Sequence, residues 1–106
     1  MAAKKRREDK YVRAIREKLM TAYASQHPRA KVDVKRYNSA SVRVRVIDPD
    51  FAGSSWTDRD TQIWAVLDSL PDDTLAEISL LILLTPQEAK KSMTNLEFEN
   101  PTPSRL

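Results

Sequence analysis

Cysteine is absent from this 106-residue sequence, and histidine and glycine occur once each, as His27 and Gly53. Without a thiol, the chain can form neither a disulfide framework nor a thiolate metal site. A single glycine excludes the glycine-rich loops that cradle phosphate groups. No apolar run approaches the ~20 residues that span a bilayer, and the first residues lack the apolar region of a signal peptide. We therefore expect a cytoplasmic protein.

The scarcity of histidine also bears on catalysis. Nucleophilic serine chemistry needs a positioned imidazole, and His27 stands before Pro28 at the predicted end of a helix, where we expect it to face solvent. Four aspartates surround Gly53, namely Asp48, Asp50, Asp58 and Asp60. Their spacing fits no calcium loop and is typical of caps and turns. We predict that the chain is not an enzyme and that it binds no cofactor and no metal.

Charge is divided unevenly along the chain. Residues 1–45 hold 14 Lys and Arg against 4 Asp and Glu, whereas residues 46–106 hold 4 against 11. Such asymmetry can indicate an anionic partner. It would equally arise if the two halves of one fold, or of a dimer, attract each other. The sequence leaves both interpretations open.

Hydrophobic spacing predicts the order of the secondary-structure elements. Apolar residues recur at helical spacing before Pro28 and after Gly53, and they alternate with polar residues in two runs joined by a short turn. The short turn favours an antiparallel hairpin, and the helix that follows is long enough for a parallel crossover. The predicted elements are helices over 9–25, 57–70 and 86–93, a helical turn within 71–77, and strands over 31–37, 41–47 and 78–84.

This order predicts an α+β fold in which a three-stranded mixed sheet carries its helices on one face. We expect a flexible basic arm over residues 1–8, a single domain over 9–93 and an irregular tail over 94–106, from which Leu96 and Phe98 could dock on the domain. The last predicted helix is short.

Several helix starts have capping signals. Asp9 is the predicted cap of the first helix, and Thr57 with Asp60 fits a capping box at the second, with the two preceding serines as alternative caps. Thr85, followed by a proline and then Glu88, predicts the start of the last helix.

The arm and the outer face of the hairpin are basic. A surface that follows phosphates would combine these charges with an aromatic ring on which a base stacks, and Tyr37 could supply that ring. The alternative is that the hairpin arginines simply lie on an exposed sheet face, where water solvates their charges. The candidate nucleic-acid or partner-binding residues are Lys4, Lys5, Arg6, Arg7, Lys31, Lys35, Arg36, Tyr37, Arg43 and Arg45.

Two apolar features are candidates for protein contacts. The strand over 78–84 is apolar on both faces, which is typical of a central or interface-forming strand rather than an open edge. Trp56 follows the Gly53 turn, and an exposed indole there would mark a partner surface. Trp64 is expected in the core.

A series of motifs runs from Val42 to about Ala89. The second strand reads V-x-V-x-V, a Phe-x-Gly-x-Ser turn follows, an Arg stands near the start of the next helix, and the last helix begins T-P-x-E. In this order the motifs resemble the BolA family, whose fold is similar to that of class II KH domains. The signature positions of the turn and helix start are Phe51, Gly53, Ser55, Arg59 and Asp60.

The resemblance implies a partner and a cofactor that the residues of this chain do not fit. BolA proteins partner monothiol glutaredoxins and share an iron–sulfur cluster through histidine or cysteine ligands. The family has a His where this chain has Asp60, and another at the start of the last strand, where this chain reads Leu-Ala-Glu-Ile over 75–78. A carboxylate is a hard ligand that suits an iron–sulfur site poorly. We expect Asp60 to serve as a cap and Arg59 to pair with Asp58 or with a C-terminal acid.

We therefore expect a non-catalytic BolA-like binding or adaptor protein whose metal-ligand positions are degenerate, with a protein partner and with a regulatory role left open. A sequence-tolerant RNA- or DNA-binding module is one alternative, although the GxxG loop with which KH domains clamp a single strand is absent. A self-associating module, monomeric or weakly dimeric, is the other.

Overall fold

A computed structural model describes residues 9–104, so the predicted arm lies outside the described residues. No helix within this range is long and apolar enough to cross a membrane. The helices are α1 (Lys10–Leu19), which continues as a π-helical turn over Met20–Ala24, α2 (Trp56–Leu67), α3 (Asp72–Leu75), α4 (Pro86–Ala89) and α5 (Met93–Glu99). The strands are β1 (Lys31–Asn38), β2 (Ser41–Ile47) and β3 (Ile78–Leu84).

Asp9 caps α1, as predicted. Its Oδ1 accepts hydrogen bonds from the backbone N–H groups of Tyr11 at 2.9 Å and Val12 at 3.2 Å. These are donors that the first helical turn leaves without intrahelical partners. Val12, Ile15 and Leu19 then form the buried stripe of the helix, so the helical spacing in the sequence corresponds to one face packed on the sheet.

The sheet has the order β1-β2-β3. β1 pairs antiparallel with β2, and β2 pairs parallel with β3, which confirms the α+β class and the mixed sheet. Because β2 occupies the middle, β3 is an edge strand of the described sheet. The expectation of a central third strand is therefore wrong, while an interface role for it stays a prediction.

The main core lies between the sheet and helices α1 and α2. Val42, Val44 and Val46 of β2 are fully buried on this face, and Ile63 and Leu67 of α2 belong to the same cluster. Strict alternation in β2 sends its arginines to the opposite face. The V-x-V-x-V pattern therefore determines which face of the strand receives α1 and α2.

The turn between β2 and α2 depends on Gly53. Its φ of +85° is the one positive value among residues 9–104, and a side chain there would strain the backbone. Ser55 caps α2 by accepting a hydrogen bond from the backbone N–H of Asp58 at 3.0 Å. The predicted box of Thr57 and Asp60 is wrong, because the helix begins one residue before Thr57 and places Asp58 at the third position.

The prediction of an irregular tail over 94–106 is wrong for α5, which Ser92 caps. Phe98 of α5 is buried beneath the Arg45 guanidinium, 4.6 Å from its ring centroid, and the Lys35 ammonium, at 4.7 Å. The helices therefore lie on both faces of the sheet rather than on one. A seven-residue helix has too few apolar positions to show a period, and α5 forms because the arginine face of β2 supplies partners for it.

Replacing Phe98 with Ala tests whether α5 contributes to the fold. We expect the free energy of unfolding to fall by about 3 kcal/mol, because a buried aromatic side chain is lost. Chemical denaturation followed by circular dichroism measures the change. Leu96→Ala is the matched control, since Leu96 lies exposed on the same helix and should change stability by less than about 0.5 kcal/mol. Equal effects of the two substitutions would contradict the docking of α5.

Candidate functional site

The predicted basic face of the hairpin is largely neutralised within the fold. Arg45 is only 4% exposed; it donates hydrogen bonds to Asp33 at 2.8 Å, to Asn95 at 2.7 Å and to Glu99 at 2.9 Å. Arg43 pairs with Glu97 at 3.3 Å. The two arginines therefore do not form an exposed cationic surface, and the alternative of a solvated sheet face is wrong as well, since α5 covers it.

The other predicted basic contacts are also partly occupied. Arg36 pairs with Asp9 at 2.8 Å and with Glu77 at 2.7 Å, which joins the start of α1 to the start of β3. The Tyr37 ring lies 3.5 Å from the Arg43 guanidinium, and its hydroxyl donates a hydrogen bond to the Thr102 carbonyl. Tyr37 is therefore already stacked.

Lys35 is exposed beside α5, and Lys31 is exposed at the start of β1. The arm residues Lys4, Lys5, Arg6 and Arg7 lie outside the described range. Residues 9–104 hold 13 Lys and Arg against 14 Asp and Glu, a net charge of −1.

A second polar network joins the end of the first helix to the turn after β2. The Tyr23 hydroxyl donates to the fully buried Asp48 at 2.6 Å, and His27 Nδ1 lies 3.0 Å from Asp50 Oδ2. Arg29 donates to the other Asp50 oxygen at 2.7 Å. His27 also stacks on the Tyr23 ring at 4.1 Å between centroids, so the expectation that it faces solvent is wrong.

This network contains the one group of three metal-ligating side chains found among residues 9–104. The ligand atoms of His27, Asp48 and Asp50 lie within 4.8 Å of one another. Both carboxylates already accept hydrogen bonds, and Arg29 brings a competing positive charge to Asp50. Burial and the Asp48 carboxylate raise the pKa of Tyr23, which keeps its hydroxyl a donor. The arrangement works as a hydrogen-bonded clasp between two segments.

Arg59 is the centre of a third site. It is buried, and its guanidinium donates to the Ser54 carbonyl at 3.1 Å and to the Leu83 carbonyl at 3.1 Å. A bidentate pair with Glu88, at 2.6 and 3.1 Å, completes its contacts. Of the predicted partners, the C-terminal acid is confirmed and Asp58 is wrong. One side chain thus connects the turn before α2, the edge strand and α4.

Glu88 serves two elements at once. Its Oε1 accepts a hydrogen bond from the Thr85 N–H at 2.9 Å, and its own N–H donates to the Thr85 hydroxyl at 3.2 Å. This is the predicted capping box of α4. The Arg59 guanidinium, assisted by the Thr85 N–H and opposed by burial, lowers the pKa of Glu88 from 4.5 to about 2.

The Arg59 guanidinium lies against two aromatic rings. Its carbon lies 4.4 Å from the Trp56 ring centroid and 5.5 Å from that of Phe51. Phe51 is buried, whereas Trp56 is 62% exposed. Arg59 therefore stacks on a solvent-facing indole, which agrees with the expectation of an exposed Trp56.

Trp56 forms a wall of two hollows that border the outer edge of β3. One, of about 490 Å³, opens toward α5, and the other, of about 360 Å³, opens toward α2. We call the two hollows together the β3-edge groove. Its residues are Trp56, Thr57, Asp60, Thr61, Leu81, Ile82, Leu83, Leu84, Glu88, Lys91, Ser92 and Thr94.

Comparison with solved structures finds the same architecture elsewhere. The BolA domain of SufE1 from Arabidopsis thaliana matches with a TM-score of 0.53 and 20% identity, over 77% of this chain and 99% of that domain. This chain has a BolA-like fold. BolA1 from Arabidopsis thaliana matches with a TM-score of 0.53 and 16% identity, over 77% and 98% of the two chains. No protein-family model and no curated protein sequence matches this BolA-like chain.

The iron–sulfur cluster that the resemblance implies does not fit the donors of this BolA-like chain. Asp60 is an exposed carboxylate that lines the β3-edge groove. His27, the one imidazole of the chain, is engaged in the clasp with Asp50. Hard oxygen donors suit an iron–sulfur centre poorly, so we derive no cluster chemistry from these residues.

Sequence reasoning identified Trp56 and Arg59 but missed most of the groove. Lys91 and the edge position of Leu81 and Leu83 carry no motif, since they depend on strand order. Glu88 did carry a signal, because the T-P-x-E capping box places a carboxylate close to the end of β3. What the motif could not reveal is that the same carboxylate reaches Arg59 across 29 residues of sequence.

Glu88→Gln tests the pair through its dependence on pH. Because the folded-state pKa is depressed, the stabilisation is fully present above pH 4.5 and is lost as pH falls toward about 2. At neutral pH we expect a loss of roughly 1 kcal/mol, a modest value because the Glu88 side chain is 36% exposed. Urea denaturation at several pH values measures the difference between variant and parent chain, which should shrink as the solution is acidified.

Asp68→Asn is the control for that experiment. Asp68 follows the last residue of α2 and is an exposed carboxylate that forms no ion pair with another described residue. A Glu88→Gln effect that stays constant from neutral to acidic pH, or that Asp68→Asn reproduces, would contradict the assigned role of the Arg59–Glu88 pair.

Proposed function

We propose that this BolA-like chain is a non-catalytic adaptor that binds another protein through the β3-edge groove. The single observation that supports this most strongly is Trp56, a 62% exposed indole held against a buried guanidinium at the wall of an apolar groove. Exposed tryptophan side chains that become desolvated are the residues that most often dominate binding energy at protein interfaces.

The groove is suited to binding because its wall is ordered before a partner arrives. Arg59 is fixed by four acceptor contacts, so the ring that stacks on it has limited freedom. A pre-ordered aromatic side chain loses little conformational entropy on association, and affinity gains accordingly. The floor supplied by Leu81 and Leu83 is apolar, while Asp60 and Lys91 give the rim opposite charges. An apolar centre with a polar rim is the common anatomy of a protein interface.

The side chains available as metal ligands bear on the identity of the partner. The BolA resemblance implies monothiol glutaredoxins as partners, but the donor set of this chain does not fit the shared cluster. We therefore propose a partner that recognises the groove itself rather than a bridging metal group. A glutaredoxin complex whose cluster absorbance depends on this chain would overturn that part of the proposal.

Affinity capture with the full chain as bait tests the adaptor role. We expect at least one host protein to be retained by the parent chain and to be lost about tenfold or more with Trp56→Ala, because a central tryptophan commonly contributes 2 kcal/mol or more. Quantitative mass spectrometry of the retained proteins gives the ratio. Denaturation curves of each bait confirm that it is folded.

Met93→Ala is the matched control for the capture, since Met93 is a 77% exposed apolar side chain that does not line the β3-edge groove. Retention should be unchanged by this substitution. A set of retained proteins that is the same for all three baits would contradict the adaptor role assigned to the groove.

Nucleic-acid binding is the alternative, and the described residues favour it less. Of the candidate nucleic-acid residues that the structure describes, Arg36, Arg43 and Arg45 each pair with carboxylates, whereas Lys31 and Lys35 form no ion pair within residues 9–104. We expect a single-stranded oligonucleotide to bind with a Kd in the range of about 1–100 μM that non-specific electrostatic contact gives at physiological salt. Fluorescence anisotropy at two salt concentrations measures it, and submicromolar binding with a steep salt slope would revive the alternative.

A further inference from the structure

We infer that the occupant of the β3-edge groove is an extended segment of the partner protein, which adds to the sheet as a fourth strand beside β3. The inference rests on the proposed adaptor function and names the shape and charge of the ligand. The segment would carry basic side chains toward Asp60 and acidic side chains toward Lys91. Strand addition to an open sheet edge is a general mode of peptide recognition.

The backbone of β3 has groups directed to the open edge. The Leu84 carbonyl accepts a hydrogen bond from the Asp48 N–H at 2.9 Å, on the side of β2. The backbone N–H and C=O groups of successive residues point to opposite sides of a strand. Those of Leu83 and Leu81 therefore point away from β2, toward the open edge. The Leu83 carbonyl confirms this direction, because Arg59 reaches it from outside the sheet at 3.1 Å.

The Arg59–Glu88 pair closes one end of this edge. Arg59 occupies the Leu83 carbonyl, and Glu88 occupies the Thr85 N–H. The stretch left for strand pairing is therefore 79–82 together with the N–H of Leu83. A segment of about five residues would fill it, which is an ordinary strand length.

The two sides of the edge differ in charge. Side chains of an added strand would alternate between the faces of the sheet. On the α2 face they would meet Trp56 and Asp60, and on the α5 face they would meet Lys91 and Thr94. Asp60 and Lys91 are exposed, and neither forms an ion pair with another residue in the range 9–104. Alternating basic and acidic side chains would therefore complement both faces.

The same charges argue against a second copy of this chain as the occupant. Antiparallel pairing of β3 with β3 about a two-fold axis would keep α2 of both copies on one face of the joined sheet. The Asp60 side chains would then share one face and the Lys91 side chains the other, with like charges brought together across the dyad. A partner segment of alternating charge avoids this repulsion.

Synthetic peptides test the inference with the full chain. The first alternates Lys and Glu and includes valines at the centre, the second has Gln in place of Lys, and the third is the first peptide with N-methylated amides. Nuclear magnetic resonance amide exchange reports strand pairing directly. We expect the first peptide to slow exchange at Leu81 and Leu83, and the N-methylated peptide to bind at least tenfold more weakly because it cannot donate backbone hydrogen bonds.

Asp60→Lys provides the charge test, since an exposed side chain can be changed without affecting the core. It should weaken the Lys–Glu peptide about tenfold and leave the peptide with Gln in place of Lys nearly unchanged. Binding that leaves the exchange of Leu81 and Leu83 unaltered would overturn strand addition. So would concentration-dependent dimers, seen by sedimentation, that protect these two amides.

The outcomes separate this inference from the adaptor proposal on which it rests. If no peptide binds while Trp56-dependent capture of a partner persists, strand addition fails and the adaptor role remains. If peptides bind with slowed exchange at Leu81 and Leu83 but capture is independent of Trp56, the edge is a strand acceptor and the tryptophan-centred adaptor role fails.

Discussion

The bidentate contact between Arg59 and Glu88 is the interaction on which the arrangement of this protein depends. A guanidinium taken out of water must have its donors satisfied, and here the acceptors come from the turn before α2, from β3 and from α4. These segments meet because they share one side chain. The same contact supports the Trp56 ring and closes one end of the β3 edge. The Arg59–Glu88 pair therefore contributes both to the fold and to the candidate binding surface.

The uneven distribution of charge is resolved largely inside the molecule. Basic residues of the first half and acidic residues of the second meet across the fold, as Arg36 does with Glu77 and Arg45 with Glu99. Of the two interpretations that the sequence allows, attraction between the halves accounts for the pairs of Arg29, Arg36, Arg43 and Arg45 with carboxylates of the second half. Net charge and its asymmetry inform about association and solubility, but they do not reveal which charges remain free once the chain has folded.

Short sequence motifs correctly predicted the features that depend on contacts between neighbouring residues. The cap at Asp9, the alternation in β2 and the capping box at Thr85 each appear where the sequence places them. The wrong prediction for the tail concerns a contact between residues that are far apart in the chain. Helix α5 forms because Phe98 packs beneath the Arg45 guanidinium, and the apolar side chains of the segment do not by themselves reveal that partner. For the cap of α2, the first choice of Thr57 was wrong and the alternative of Ser55 is confirmed, since neighbouring Ser and Thr side chains offer competing oxygens.

The sequence by itself determined the α+β class, the hairpin with its parallel crossover, and the lack of thiolate metal ligands, because periodicity, turn residues and composition can be read without the tertiary structure. Only the tertiary structure decided that the hairpin arginines are paired, that β3 lies at an edge, and that Glu88 joins Arg59. Each of these depends on residues far apart in the chain, brought together by the order of the strands and by the need to satisfy buried charge.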